Sequence, residues 1–183
     1  MDNVRGHPRI CAIHCFVYTT LLIFNSSFSI LHFPLKKMRV RPAALIVEKQ
    51  HVLLLRYRYG DTDVFALPGG NPDRNETLQQ TIARELREEL GIEIEFKQDA
   101  FHGETLLPQL KEDVLHCIFW VEIIGGLPRL NPQETTALEV VWKPISVLAD
   151  LKLYPNAGKQ IQQYFDSALP FGYVGMFEQE YFG

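Results

Sequence analysis

Gly70-Asn71-Pro72-Asp73-Arg74-Asn75-Glu76 is followed by seven residues and then by Arg84-Glu85-Leu86-Arg87-Glu88-Glu89-Leu90-Gly91-Ile92. The second half has the periodicity of a helix, expected from Thr77 to Leu90. Asn75 is the expected N-cap, Glu76 lies in the first turn, where negative charge suits the helix dipole, and Gly91 is the stop. At about 100° per residue, Glu85, Glu88 and Glu89 share one side of this helix. Ile82, Ala83, Leu86 and Leu90 share a neighbouring side and face a core. Three carboxylates this close repel one another, at a few tenths of a kcal/mol per i,i+4 pair on an exposed helix. A divalent cation removes the conflict, and Mg2+ prefers an all-oxygen shell that retains waters and substrate phosphates. Taken alone, the three glutamates also fit an ordinary solvated acidic face, because glutamate is a good helix former.

Outward from this run, Val40–Val47 and His51–Arg58 read as a hairpin joined by Glu48-Lys49-Gln50, with Arg56 and Arg58 alternating against Leu55 and Tyr57. Val64–Leu67 is a short strand that ends at the loop signal Pro68-Gly69-Gly70. Ile92–Phe96, Val114–Ile124 and Leu138–Trp142 read as further strands. Ser146 is expected to cap a short helix through Leu151, and Asn156–Leu169 a last helix that buries Ile161, Tyr164, Phe165 and Leu169. Strands with two or three helices and no strict βαβ alternation predict an α/β sandwich around a mixed sheet.

The whole run from Gly70 to Ile92 resembles the Nudix box: Gly, five residues, Glu, seven residues, Arg-Glu, an aliphatic residue, any residue, Glu-Glu, any residue, Gly, an aliphatic residue. Gly70, Glu76, Arg84, Glu85, Leu86, Glu88, Glu89, Gly91 and Ile92 fill every defined position. The looser resemblance runs from about Met38 to about Leu169. It implies a Nudix-like α/β/α sandwich around a mixed β-sheet, and a metal-dependent hydrolase that cuts the phosphoanhydride bond of a nucleoside-diphosphate-linked small molecule with Mg2+ or Mn2+. It implies that Glu85, Glu88 and Glu89 bind the metal, that the backbone at Gly70 approaches it, that Arg84 orients a catalytic glutamate, and that Glu76 braces loop and helix. The base that takes the proton from water is a box glutamate or one on a later loop, where Glu134 and Glu139 are the candidates. A second reading is a Nudix-like ligand-sensing or interaction domain without catalysis. Such domains typically lose box carboxylates, and this chain keeps all of them.

Substrate choice is less legible. Arg56 and Arg58 are candidates for phosphate contacts, and Trp120, Trp142 and Phe65 for stacking on a base or ribose. Pro108 stands about where ADP-ribose-cleaving members often carry a proline, with no further pattern around it. The chain has 183 residues, room for one domain with a proper core. Its net charge of −4 and lack of a basic run give no footprint for nucleic acid or acidic membrane. Cys11, Cys15 and Cys117 are odd in number and expected to be reduced. Cys11, His14 and Cys15 cluster, but no second pair follows at zinc-like spacing. A cytoplasmic location is expected, and the oligomeric state, homodimer included, is left open.

Residues 1–37 do not match the rest. Ile10–Leu35 is apolar and aromatic, flanked by Arg5, Arg9, Lys36 and Lys37. A membrane span, a secretory signal, and an upstream stretch from a start codon placed too early all compete. Met38 opens a sequence that already reads as a first strand. The expected organisation is therefore an N-terminal extension, 1–37, a domain, 38–169, and a C-terminal tail, 170–183.

Overall fold

A computed structural model describes residues 37–106, 112–167 and 172–180. The expectations for residues 1–36, Pro108 and Leu169 lie outside the described residues, as do Cys11, His14 and Cys15.

Among the described residues, eight strands form one mixed sheet. Strand β1 (Lys37–Glu48) turns at Lys49-Gln50 into β2 (His51–Tyr59), which turns again into β3 (Thr62–Ala66). Helix α1 (Leu78–Leu90) leads to the long hairpin of β4 (Glu93–Thr105) and β5 (Glu112–Gly125). Then come β6 (Glu139–Pro144), a 3-10 turn (Ile145–Asp150), β7 (Leu153–Tyr154), α2 (Gly158–Ser167) and β8 (Gly172–Met176). The order is β7-β3-β2-β1-β5-β4-β8, with β6 also on β2; β1 runs parallel to β5, β4 to β8 and β3 to β7. This is the expected α/β/α sandwich.

Strand alternation divides the apolar side chains between the two faces. On one face Ala44, Ile46, Leu53, Leu55, Phe119 and Val121 pack against Ile82, Leu86 and Leu90 of α1. On the other, Ala43, Leu45, Val52, Leu54 and Ile118 pack against Ile161 and Tyr164 of α2 and Leu148 of the 3-10 turn. The i, i+4, i+8 stripe of α1 is wholly buried. At roughly 1.5–3 kcal/mol per large apolar side chain, that stripe fixes the helix on the sheet. Trp120, Trp142 and Phe65, read as stacking candidates, pack against these cores, and Lys143 lies over the Phe65 ring.

Three local expectations are corrected. The N-cap of α1 is Thr77, not Asn75: Thr77 Oγ1 accepts from the Gln80 backbone N–H, and Gln80 Oε1 accepts from the Thr77 N–H. Asn75 instead has a left-handed φ of 66° and turns the chain ahead of the helix. Glu76 consequently precedes the first turn. Ser146 caps nothing; the turn after Pro144 is 3-10 without a side-chain cap. Strand β4 runs far beyond Phe96, because β5 supplies a ladder along its whole length and tertiary pairing overrides the weak local pattern of Lys97-Gln98-Asp99.

Candidate functional site

The loop after β3 is pressed onto the start of the sheet. The Ala44 N–H donates to the Pro68 carbonyl (2.8 Å), and Arg41 Nη2 donates to the Gly69 carbonyl (2.8 Å). A Cβ at Gly69, where φ is +148°, would stand 2.4 Å from the Pro42 carbonyl oxygen. The next glycine carries the site itself. A Cβ at Gly70 would fall 1.9 Å from Glu85 Oε1, so the missing side chain is the space that the Glu85 carboxyl fills.

Arg84 is the hub of the carboxylates. Its Nε and Nη2 hold both oxygens of Glu76 at 2.9 and 3.1 Å, and Nη1 reaches Glu85 at 3.1 Å and Glu88 at 3.0 Å. Nη2 also donates to the Asn71 carbonyl at 3.2 Å. Glu76 further accepts from the Thr81 hydroxyl (2.9 Å) and the Asp73 N–H (3.0 Å). Arg84, ahead of the Asp73 N–H, draws the Glu76 carboxyl down to about 2. Glu76 is thus a permanently ionised strut between loop and helix near neutral pH, with its side chain 14% exposed.

Glu89 is the opposite case. Among the described residues it makes no ion pair, and its buried Oε2 has no hydrogen-bond partner. Burial, reinforced by the Glu85 charge, pushes its carboxyl up to about 7; a hydrogen bond with Thr135 and the charge of Arg41 oppose the shift. Thr135 lies on the loop between β5 and β6, which is tied to the C-terminal end of α1. The Asn131 and Arg129 N–H groups donate to the Glu89 and Leu90 carbonyls (2.8 and 3.0 Å), and Asn131 Nδ2 donates to the Glu88 carbonyl (3.2 Å). Glu134 stands exposed on this loop. Glu139 lies on β6 in a salt bridge with Arg56.

The two arginines read as phosphate contacts have partners of their own. Arg56 bridges Glu139 (3.0 Å) and Asp63 (3.2 Å), and Arg58 pairs with Asp63 (2.8 Å). Tyr57, between them, packs against the α1-side core, so strand alternation sets Arg56 and Arg58 on the other face of the sheet. The sequence reading missed Arg41, Tyr57 and Thr135. Arg41 lies beside His116 in the β1–β5 register, over the Tyr154 ring at 5.6 Å, and keeps Nη1 buried and unpartnered. His116 is fully buried between Tyr154 and Phe177, which holds its imidazole neutral, down to about 3. No local signal marks these residues, because cross-strand register and loop docking bring them to their places.

The NUDIX domain family matches residues 37–164. The chain belongs to the Nudix family. Solved Nudix structures agree. A MutT NUDIX hydrolase from Burkholderia pseudomallei is 26% identical, with a TM-score of 0.53 over 60% of this chain and 85% of that one. An ADP-ribose pyrophosphatase from Streptococcus suis is 16% identical, with a TM-score of 0.56 over 74% and 98%. A UDP-X diphosphatase is 20% identical, with a TM-score of 0.58 over 75% and 66%. No curated protein sequence matches the chain. The last two likenesses establish the fold alone, and their names point to different substrates. Among the described residues no group of three or more His, Cys, Asp or Glu side chains is gathered as a ready-made metal cluster. No helix among them is long and apolar enough to cross a membrane.

Proposed function

We propose that this Nudix protein hydrolyses the phosphoanhydride bond of a nucleoside-diphosphate-linked small molecule, using Mg2+ or Mn2+ held by Glu85, Glu88, Glu89 and the backbone of Gly70. The observation that carries the reading is Glu89. A buried carboxyl oxygen without a partner is costly, and beside Glu85 the cost rises. A hard cation among oxygen donors relieves both, so the donor set fits Mg2+. When bound, the ion neutralises phosphate oxygens and acidifies a water.

The chain's own residues do the rest. Arg84, clamped by Glu76, sets the rotamers of Glu85 and Glu88 from one guanidinium. The Gly70 backbone leaves the Glu85 carboxyl its place. Glu134 is the proposed proton acceptor, carried towards the helix by a loop that Asn131 pins. Arg56 and Arg58 are proposed to hold β2, β3 and β6 together rather than to meet phosphates. The net charge of −4 suits an enzyme acting on small molecules without nucleic acid, and a cytoplasmic location is proposed with it.

The test is a panel of nucleoside-diphosphate sugars, ADP-ribose, dinucleoside polyphosphates and nucleoside triphosphates, incubated with Mg2+ or Mn2+ and resolved by product chromatography. Release of a nucleoside monophosphate or equivalent from at least one compound, abolished by EDTA, is expected. Inactivity across the panel with both metals would move the protein to a ligand-sensing role.

A further inference from the structure

Arg56, Arg58, Arg84 and Arg87 are each paired with carboxylates. Arg41 is not. Among the described residues it has no ion-pair partner, although it is half-buried on β1. Its Nη2 donates to the Gly69 carbonyl at 2.8 Å, and its guanidinium lies over the Tyr154 ring at 5.6 Å, a cation–π contact. Its Nη1 is buried and has no hydrogen-bond partner. A guanidinium always carries its charge, and a buried charge without an opposite partner is costly.

The neighbouring strand does not supply that partner. His116 stands across the β1–β5 register from Arg41, so the two side chains share one face of the sheet. His116 is fully buried, and neither of its ring nitrogens has a partner. Burial, ahead of the Arg41 and Arg39 charges, keeps the imidazole neutral. Two adjacent polar side chains thus lack partners at a place that holds a cation and no anion. Native proteins rarely leave buried polar groups in that state.

The place adjoins the carboxylates of α1. Gly69 and Gly70 are consecutive, with Cα atoms about 3.8 Å apart. Arg41 holds the carbonyl of the first, and the Glu85 carboxyl fills the space beside the second. Fastening the loop does not account for Arg41. The Ala44 N–H already holds the Pro68 carbonyl at 2.8 Å, and Gly69 is fitted closely against the Pro42 carbonyl. A fastener needs one nitrogen and gains nothing from a second left bare.

We infer that Arg41 is a phosphate contact of the substrate: Nη2 stays on the Gly69 carbonyl, and Nη1 donates to an oxygen of the diphosphate that reaches the Glu85 side of the loop. Arginine suits this task because its planar fork serves two acceptors at once. The inference rests on the hydrolase reading for the anion's being a substrate, but not for the anion's binding.

The test uses the full chain with Arg41→Gln, which keeps a donor and removes the charge, and Arg41→Lys, which keeps the charge and loses the fork. Methylenediphosphonate, a pyrophosphate analogue without a nucleoside or a cleavable bridge, is titrated into each protein at saturating Mn2+ by calorimetry. Mn2+ alone is titrated separately and followed by electron paramagnetic resonance. Wild type is expected to bind the diphosphonate. Arg41→Gln is expected to bind it about tenfold more weakly and Arg41→Lys about threefold, because a charge-assisted hydrogen bond is lost or loosened. Mn2+ affinity is expected within about twofold of wild type in both. On the best substrate found, Arg41→Gln should raise KM by a similar factor while kcat changes less. A wild type that does not bind the diphosphonate overturns the inference, as does an Arg41→Gln protein that binds it as wild type does. An equal fall in Mn2+ affinity also overturns it, because Arg41 would then act on the loop. If Arg41→Gln melts early, Arg41→Lys decides, and undiminished binding is the contrary result. Diphosphonate binding that depends on Arg41, without turnover of any compound, upholds the contact and sinks the hydrolase reading. Turnover by the wild type with unchanged diphosphonate binding in Arg41→Gln does the reverse.

Discussion

Two kinds of carboxylate meet at helix α1. On the side facing the loop, Glu76, Glu85 and Glu88 surround Arg84, and the Glu76 carboxyl is filled by four hydrogen bonds from Arg84, Thr81 and Asp73. On the side facing the β5–β6 loop, Glu89 keeps a buried oxygen, Oε2, without a hydrogen-bond partner. The same residue type is driven down to about 2 in one place and up to about 7 in the other. The lesson is that the satisfied side builds the frame and the unsatisfied side holds capacity for a ligand. Buried polar groups are paired in native proteins unless something else is meant to pair them.

The comparison breaks most severely at Gly70. A Cβ there meets Glu85 at 1.9 Å, and the carboxyl must leave its place beside the loop. Gly70→Ala should lower kcat about a hundredfold, the usual scale for a misplacement of about 1 Å at a reacting centre. Steady-state kinetics would measure it, with circular dichroism to confirm that the fold persists. Wild-type turnover would show that the Glu85 position is irrelevant.

The second effect is on stability. The Glu89 carboxyl is raised in the folded state, so the native protein binds more protons than the unfolded chain between pH about 4.5 and about 7. Stability contributed by this group is full below about 4.5 and is lost as pH rises towards 7. Glu89 is only partly buried, so the loss, discounted for solvent, is on the order of 1 kcal/mol. Thermal melts of Glu89→Gln should lack this decline, and saturating Mg2+ should suppress it in the wild type. Parallel melting curves for Glu89→Gln and wild type across pH 4.5–8 would place the strain elsewhere. Glu76 has the opposite sign: its contribution is present above about 4.5 and lost as pH falls towards 2.

The smallest expected effect sharpens the contrast between the site and the other face of the sheet. Arg58 is half exposed and shares Asp63 with Arg56. Arg58→Ala should cost no more than about 1 kcal/mol in a urea titration. Its substrate KM should shift by less than about twofold, against the several-fold rise expected of a phosphate contact.

Much of this could be seen in the sequence, for identifiable reasons. The α1 stripe and the glycines at Gly70 and Gly91 are local features, so the helix, its stop and the loop ahead of it were legible. That Arg84 orients a catalytic glutamate was expected only from the box resemblance. Its grip on Glu76 was not anticipated, because the loop ahead of the helix must fold back to bring the two together. The N-cap was misplaced by two residues because Asn75 and Thr77 both suit that position, and the choice depends on Glu76 being drawn back to Arg84 and Asp73. Arg56 and Arg58 looked free because Asp63 and Glu139 reach them only through strand register. Tyr57 and Thr135 are 78 residues apart and meet only once the β5–β6 loop docks. Thr135 carries no signal that distinguishes it from Thr136.

The central claim is that the unpaired carboxylate of α1 is a metal ligand for phosphoanhydride hydrolysis. The most direct test is the initial rate on the best substrate of the panel, followed against Mg2+ concentration for wild type and Glu89→Gln. The substitution keeps the shape and removes the charge. The account predicts a rate at saturating Mg2+ at least about tenfold lower, roughly 1.4 kcal/mol in the barrier, in a protein that melts no earlier than wild type at pH 7.5. A near-normal rate for Glu89→Gln at saturating Mg2+ would contradict it.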